Sequence, residues 1–443
     1  MMRQNVLLRI LDLFKRTNVL PWYKFYCDTI KWDRERIIEY QIRRLKALLK
    51  HVRDTVPYYS NIFDNNKINI NDINSLSVLN DLPIIDRDII QNNIEQLISK
   101  KFSKDQLMKG GSSGTSGIPI EYYHDYSGYS AGVAAGYMLW SMSGWEIGKR
   151  NIHIWGNQSS IKQWNTLRSK IKNVLIRQKN IPSTLLNDPS QLKTITNEIL
   201  KFKPCSFDGY ASSIYSLASF IEENNIRLSG VRHVLTTADN LEEYQRDLIE
   251  RVIGPTGDLY GSGEILGIAS RPVNEEKYYI LDPHVIVETI DFNDNYMKDI
   301  VITDLHNYGM PFIRYKIGDM IDQVQTPKPN SKFPFSWFTK IYGRDSDVIN
   351  LPNGMKFHPM NVFGGTLFRE FDGIKRHKVV WDGNKLLFIF EVDDFNNKEP
   401  LNNALKKLLM PYGCEYVIEF TNKIYPSSSG KYKYVEIIKD EKS

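Results

Sequence analysis

Cysteine is scarce. Cys27, Cys205 and Cys414 are the only three, widely spaced and odd in number. No CxxC pair or Cys/His cluster is present, which excludes a zinc-type site and a readable disulfide framework. A reducing cytoplasm fits that usage. Long apolar runs are missing too. No stretch approaches the ~18–20 residues needed to cross a bilayer, so no transmembrane segment is expected. A strong excess of one charge sign is also absent. The 57 basic and 52 acidic residues leave a net charge of +5 over 443 residues, which argues against nucleic acid as the main partner. Internal repeats and low-complexity tracts are absent.

What is present is the composition of a folded chain: 42% apolar, 12% aromatic and 25% charged residues. The length suits roughly two or three domains. The opening "MMRQNVLLRILDLFKR" resembles a signal peptide at first sight. Arg9 and Asp12 interrupt its apolar run, and no small-residue cleavage site follows. Val6, Ile10, Leu13 and Phe14 recur at helical spacing with Arg3, Arg9, Lys15 and Arg16 between them. That pattern suits a helix packed on its own protein or one lying peripherally on a membrane surface.

Residues 1–105 read as mostly helical. "RERIIEYQIRRLKALLKHVRDTV" is amphipathic and stops at Pro57, and Asp86 is a cap signal for the helix after it. From 150 to 270 short strands alternate with helices, which implies a mainly parallel sheet covered by helices. Residues 275–345 look β-rich. The last hundred residues change character: two strands around Asp382-Gly383, then a helix and a strand, form a small α+β unit. Its boundary falls near "YGRDSDVI". The expected fold class is therefore α/β, with a large N-terminal domain over 1–343 and a smaller α+β C-terminal domain over 344–443.

One stretch concentrates four of the 27 glycines: "KGGSSGTSGIPIEYYHD", from Lys109. A flexible linker is one reading and a phosphate-gripping loop the other. A Walker loop runs from strand to helix and carries Gly-Lys-Ser/Thr. Here the loop feeds a strand in which Ile118, Ile120 and Tyr122 alternate, and position 118 is Ile, so it is not a P-loop. Four more stretches combine small, hydroxyl-bearing and charged residues in the same way. They are "YGSGE" (260–264), "TDLHNYGMPFIRYKIGD" (303–319), "GRDSD" (343–347) and "PSSSGKYKY" (426–434). Each alone is a common turn or loop. Their order is the specific signal.

In that order the chain resembles the adenylate-forming superfamily of acyl-CoA synthetases, firefly luciferase and nonribosomal peptide adenylation domains. It is most similar to the phenylacetate-CoA ligase branch and its CapK-like proteins, which are associated with surface polysaccharide synthesis. The resemblance implies an ATP-dependent ligase in which a carboxylic acid attacks the α-phosphate of ATP, giving an acyl-adenylate and pyrophosphate. A second nucleophile, coenzyme A or an amine, then takes the acyl group.

The resemblance also implies roles. Ser112, Ser113, Gly114, Thr115, Ser116 and Gly117 would grip the β- and γ-phosphates. Glu264 would hold Mg²⁺. Asp319 would bind the ribose hydroxyls, with Arg344 near ribose or phosphate. Thr237, Ala238, Asp239 and Asn240 would line the adenine, Tyr260 would stack on it, and Gly261 and Ser262 would complete that wall. Lys431 would bridge the carboxylate and α-phosphate on a mobile C-terminal lid. Trp155 and Tyr210, with Ala238 and Ser262 near them, are candidates for the acyl pocket.

Relatives are frequently homodimers. The chain departs from the family at Ile118, where Lys is common, at Gly263, where Thr or Ser is usual, and at Ser346, where the hinge is usually Asp or Lys. Lys433 stands where a further basic residue often follows the lysine. These departures keep a catalytically silent nucleotide-binding relative as an alternative.

Overall fold

The computed structural model describes the whole chain except residues 1, 67, 112–119, 157–163, 293, 358, 360–370, 372, 394, 426–431 and 439–443. The phosphate-loop candidates Ser112 to Gly117 and the candidate lysine Lys431 therefore lie outside the described residues.

The N-terminal region is helical: α1 (Met2–Lys15), α2 (Val19–Thr29), α3 (Arg34–Thr55), α4 (Pro57–Asn66) and α5 (Arg87–Leu97). α3 starts where the Asp33 carboxylate accepts the Arg36 N–H. It stops at extended Val56, because the residue before Pro57 is disfavoured from helix. Asp86 caps α5 by accepting the Ile89 N–H, as its sequence position leads one to expect. On α1 the structure corrects the sequence pattern. The face packed inward is Leu7, Leu8 and Leu11, whereas Val6 and Leu13 are 54% and 78% exposed. The helix is apolar on two sides, and only one of them finds the core.

Two short strands follow, β1 (Met108–Gly111) and β2 (Glu121–His124), paired antiparallel with Met108 opposite His124. Gly110 and Gly111, at the start of the glycine-rich stretch, thus belong to a strand. α6 (Tyr126–Ser141) leads into the central sheet. Its parallel part alternates strictly: β3 (Asn151–Ile154), α7 (Leu167–Leu175), β4 (Gln178–Ile181), α8 (Pro189–Phe202), β5 (Ser206–Tyr210), α9 (Ala211–Glu223), β6 (His233–Thr237), α10 (Glu243–Val252) and β7 (Thr256–Tyr260). β8 (Ala269–Arg271), β9 (Tyr278–Ile280) and later β13 (Trp337–Phe338) extend it antiparallel.

The eight strands lie in the order 13-9-8-7-6-5-3-4. β5 is buried along its whole length, as a parallel strand covered on both faces must be. The chain passes from β3 out to β4 and then back over β3 to β5. The carboxyl ends of β3 and β5 therefore flank a topological switch point, where open α/β sheets place ligands. Gly209 makes that close pairing possible, since a Cβ there would stand 2.1 Å from the Ile154 carbonyl oxygen.

A second, antiparallel sheet joins β10 (Val285–Phe292), β11 (Asp294–Asp304), β12 (Tyr315–Ile321) and β14 (Ile341–Arg344). Its core merges with that of the N-terminal helices through Leu45, Val52, Ile85, Ile302 and Phe312, among others. Beyond the short pair β15 (Ile349–Asn350) and β16 (Lys356–Phe357), the C-terminal sheet is built from β17 (Ile374–Trp381), β18 (Lys385–Val392), β19 (Glu415–Thr421) and β20 (Val435–Ile437), with α11 (Lys398–Leu409) packed on it. Leu401 and Leu405 of α11 and Phe388 and Phe390 of β18 form its separate core.

Candidate active site

Several sequence-predicted residues come together although they are distant in the chain. Asp319 on β12 lies directly opposite Arg344 on β14. The Arg344 Nε donates to Asp319 Oδ1 at 2.8 Å, and the Tyr260 hydroxyl, at the carboxyl end of β7, donates to Oδ2 at 2.9 Å. Each carboxylate oxygen keeps a further lone pair to accept a ligand hydroxyl. Burial pushes the Asp319 carboxyl up, and the Arg344 charge opposes that rise. Arg344 itself is held above its ordinary value, chiefly by Asp319.

After Tyr260 the chain makes a tight turn. Ser262 N–H donates to Ile265 O at 2.9 Å, and Ile265 N–H donates to the Ser262 hydroxyl at 3.0 Å. The turn presents Glu264, 6% exposed, to the Tyr315 hydroxyl at 3.5 Å. The Glu264 charge also acts on Arg344, Asp319 and Tyr122, so the carboxylates and the guanidinium share one field. The Gly261 backbone runs close to Gly267, with 3.1 Å from its built Cβ to the Gly267 nitrogen.

The "TTADN" segment follows β6. Ala238 adopts φ +73°, a left-handed conformation costly for alanine and typical of sites whose backbone is held for function. Its neighbours use their side chains on the protein. The Thr237 hydroxyl donates to Leu259 O at 2.9 Å. Asp239 accepts the N–H groups of Ala211 and Ser212 at 2.6 and 3.1 Å, at the start of α9. The Asn240 amide donates to Glu242 at 2.5 Å. Tyr260 is 7% exposed, and its ring packs edge-on against Phe338 at 6.1 Å. At the switch point the Trp155 and Tyr210 rings meet at 4.5 Å, with His153 stacked on Trp155 at 5.9 Å.

Sequence reasoning missed three residues on and after β2. Tyr122 lies across Gly110 and Gly263. His124, 5% exposed, lies near the Gly263 carbonyl with its Nε2 at 3.4 Å, and burial lowers its pKa. Asp125 ties the loop after β11 to α6: one oxygen accepts the N–H groups of Ser127 and Gly128, the other those of Tyr308 and Gly309 at 2.7 and 3.1 Å. The alternation of Ile120 and Tyr122 was the available signal, since it puts His124 on the same strand face.

Mg²⁺ is commonly held by one or two carboxylates together with substrate phosphates. Glu264 fits that mode as a single carboxylate. Among the described residues no cluster of three or more His, Cys, Asp or Glu forms a protein-only cage.

No protein-family profile matches the chain. Protein CapK of Staphylococcus aureus is 25% identical over 425 residues, spanning 93% of this chain and 92% of CapK. Among solved structures, 2-hydroxyisobutyryl-CoA ligase with 2-HIB-AMP in the postadenylation state superposes with a TM-score of 0.72 at 15% identity, over 90% of this chain and 89% of that one. The same ligase with 2-HIB-AMP and CoA in the thioesterification state gives 0.59 at 16% identity, over 92% and 91%. The fold and the sequence similarity thus agree along nearly the full length. The chain shares the fold of the acyl-adenylate-forming CoA ligases and is similar in sequence to CapK.

Proposed function

We propose that the protein is an ATP-dependent ligase that activates a carboxylic acid as an acyl-adenylate and passes the acyl group to coenzyme A. The observation that carries this reading is the convergence of Tyr260, Asp319, Arg344 and Glu264 at the carboxyl edge of the sheet. Asp319 offers half-buried acceptors for two vicinal ribose hydroxyls, and Arg344 fixes its orientation while supplying positive charge. A carboxylate oxygen of the acid attacks the α-phosphorus. The new O–P bond replaces the bond to the β-phosphate bridging oxygen, and pyrophosphate leaves. Mg²⁺, held at Glu264, would neutralise phosphate charge during that step. Backbone donors of Ser112 to Gly117 would grip the leaving pyrophosphate, and Lys431 would join the attacking carboxylate to the α-phosphate.

The thiol sulfur of coenzyme A then attacks the acyl carbonyl, AMP departs, and the thiol proton passes to solvent. Residues 344–443 act as a lid that turns between the two steps about Ser346, which lies in a short 3₁₀ turn, Asp345–Asp347. Trp155 and Tyr210 bound the acyl group at the switch point. We extend the proposal to surface polysaccharide synthesis, as the resemblance of the sequence motifs to CapK-like proteins implies, and to a reducing cytoplasm, which the three free cysteines suit.

The test is exchange of labelled pyrophosphate into ATP across a panel of carboxylic acids, followed by acceptor screening with coenzyme A and with amines. A working ligase exchanges label with at least one acid and releases AMP. Lys431→Ala is expected to lose exchange by about 100-fold or more while ATP binding stays near wild type. ATP binding without exchange for any acid would instead assign a silent nucleotide-binding role. Product formation with amines alone would reassign the acceptor.

A further inference from the structure

α7 is unusual for a helix in this fold: none of its residues is buried. Leu167 is 74% exposed, Ile171 43% and Val174 77%, at the i, i+4, i+7 spacing of one helical stripe. Its other residues include Arg168, Lys170 and Lys172, and no acid. α1 lies beside it. The Arg168 guanidinium stands 5.9 Å from the Phe14 ring, and a cavity of about 200 Å³ is lined by Leu11, Phe14 and Lys15 from α1 and by Arg168, Ser169 and Lys172 from α7.

α1 also exposes Val6 and Leu13, but on the side opposite Leu7, Leu8 and Leu11, turned away from the cavity it shares with α7. Its one acid, Asp12, is turned inward, accepting the Thr17 hydroxyl and the N–H groups of Val19 and Leu20. The Lys172 ammonium is lowered by burial and by the charge of Lys15, so these two cations face each other across the shared cavity. The exposed stripe of α7 is thus fringed by cations, with Lys15 of α1 beside the helix.

We infer that the exposed stripe of α7 is a membrane-docking surface, on which the protein lies against an anionic lipid bilayer. Charge complementarity selects this occupant. A water-facing surface has no need of three exposed aliphatic side chains in one helical stripe. A purely apolar protein partner has no need of a cation fringe without acids. Both features suit the headgroup–acyl boundary, where aliphatic side chains enter the acyl region and lysine and arginine reach lipid phosphates.

The full-length protein is mixed with phosphatidylcholine vesicles, with and without phosphatidylglycerol, and sedimented. Binding is expected only with phosphatidylglycerol, and it should weaken with salt. Arg168→Ala with Lys170→Ala should lower partitioning by about 30-fold, at roughly fivefold per cation. Leu167→Ser with Val174→Ser should lower it by about tenfold or more with the melting temperature unchanged, because neither side chain belongs to a core. Absence of wild-type binding overturns the inference, and so does binding that neither pair of changes weakens. A wild-type dimer that Leu167→Ser with Val174→Ser converts to monomer, without vesicle binding, would show that a second copy covers this face.

Discussion

Gly263 stands where the resemblance leads one to expect a hydroxyl-bearing side chain, and its surroundings give the reason. A Cβ there would lie 2.4 Å from the Tyr122 hydroxyl oxygen and 3.2 Å from its ring carbon. On the other side, a Cβ at Gly110 would lie 2.2 Å from the same ring. Tyr122 fills the space beside Glu264 that a side chain at 263 would take, and it brings a hydroxyl of its own. Gly263→Ala should therefore destabilise by about 1–3 kcal/mol through overpacking. Tyr122→Phe removes the nearest atom, so the double variant should recover part of that loss. Denaturant unfolding of both single variants and the double closes the cycle. Strict additivity would mean that the turn, not the ring, relieves the clash. In the sequence the departure at 263 is visible, but its cause is not, because the compensating residue lies on a distant strand. The motif residues Asp319, Arg344 and Glu264 were legible as a group for the opposite reason: their chemistry is local to short motifs, and the fold only brings those motifs together.

At the scale of elements, the C-terminal sheet is fastened to the central one by specific contacts. Arg376 on β17 reaches the Ser216 hydroxyl on α9 at 2.7 Å while its other nitrogen holds Glu391 at 2.9 Å. Its guanidinium lies 4.5 Å over the Tyr432 ring. The Gln245 amide on α10 donates to the Tyr434 hydroxyl at 2.9 Å. This fastened arrangement superposes better on the postadenylation ligase than on its thioesterification state. Tyr434 follows Lys431 closely in sequence, and we propose that its hydrogen bond to Gln245 matters to the half-reaction assigned to that lysine. Tyr434→Phe loses one hydrogen bond, worth about 1 kcal/mol. Pyrophosphate exchange should fall about fivefold, while acyl transfer from supplied acyl-adenylate stays near wild type. An equal fall in both half-reactions would limit Tyr434 to holding the fold. The elements joined here were readable where turn chemistry is local. Gly383 at φ +98° turns the hairpin between β17 and β18 where Asp382-Gly383 predicts it. Gly110 and Gly111 were not readable as strand, since glycine disfavours strands and only the ladder to β2 holds them extended.

For the molecule as a whole, buried titratable groups set opposing pH dependences. Burial lowers His233 and His284 to about 4 and His377 to about 3, against an ordinary value of 6.5. His284 stays neutral between the Tyr26 hydroxyl at 3.0 Å and the Leu266 carbonyl at 2.9 Å, stacked on His306 at 5.5 Å. Below pH 6.5 the unfolded chain binds protons that these imidazoles refuse, so stability falls as pH falls. Buried carboxylates act the other way. Glu242 is raised to about 7 and Asp347 to about 6, so their contribution is present at acid pH and is lost as pH rises through those values. Asp304, also raised to about 6, offsets the lowered His124 beside it, and between pH 6.5 and 5 the histidines should win, because His51 and His306 are lowered as well and add to the same slope. Each fully excluded proton is worth about 1.4 kcal/mol per pH unit. The melting temperature should therefore fall steadily from pH 7 to pH 5. His377→Phe removes one such proton from the balance without adding a polar atom to β17, so its melting curve should flatten by about one proton's slope over that range. A wild-type melting temperature that holds or rises on acidification would mean that the buried carboxylates dominate.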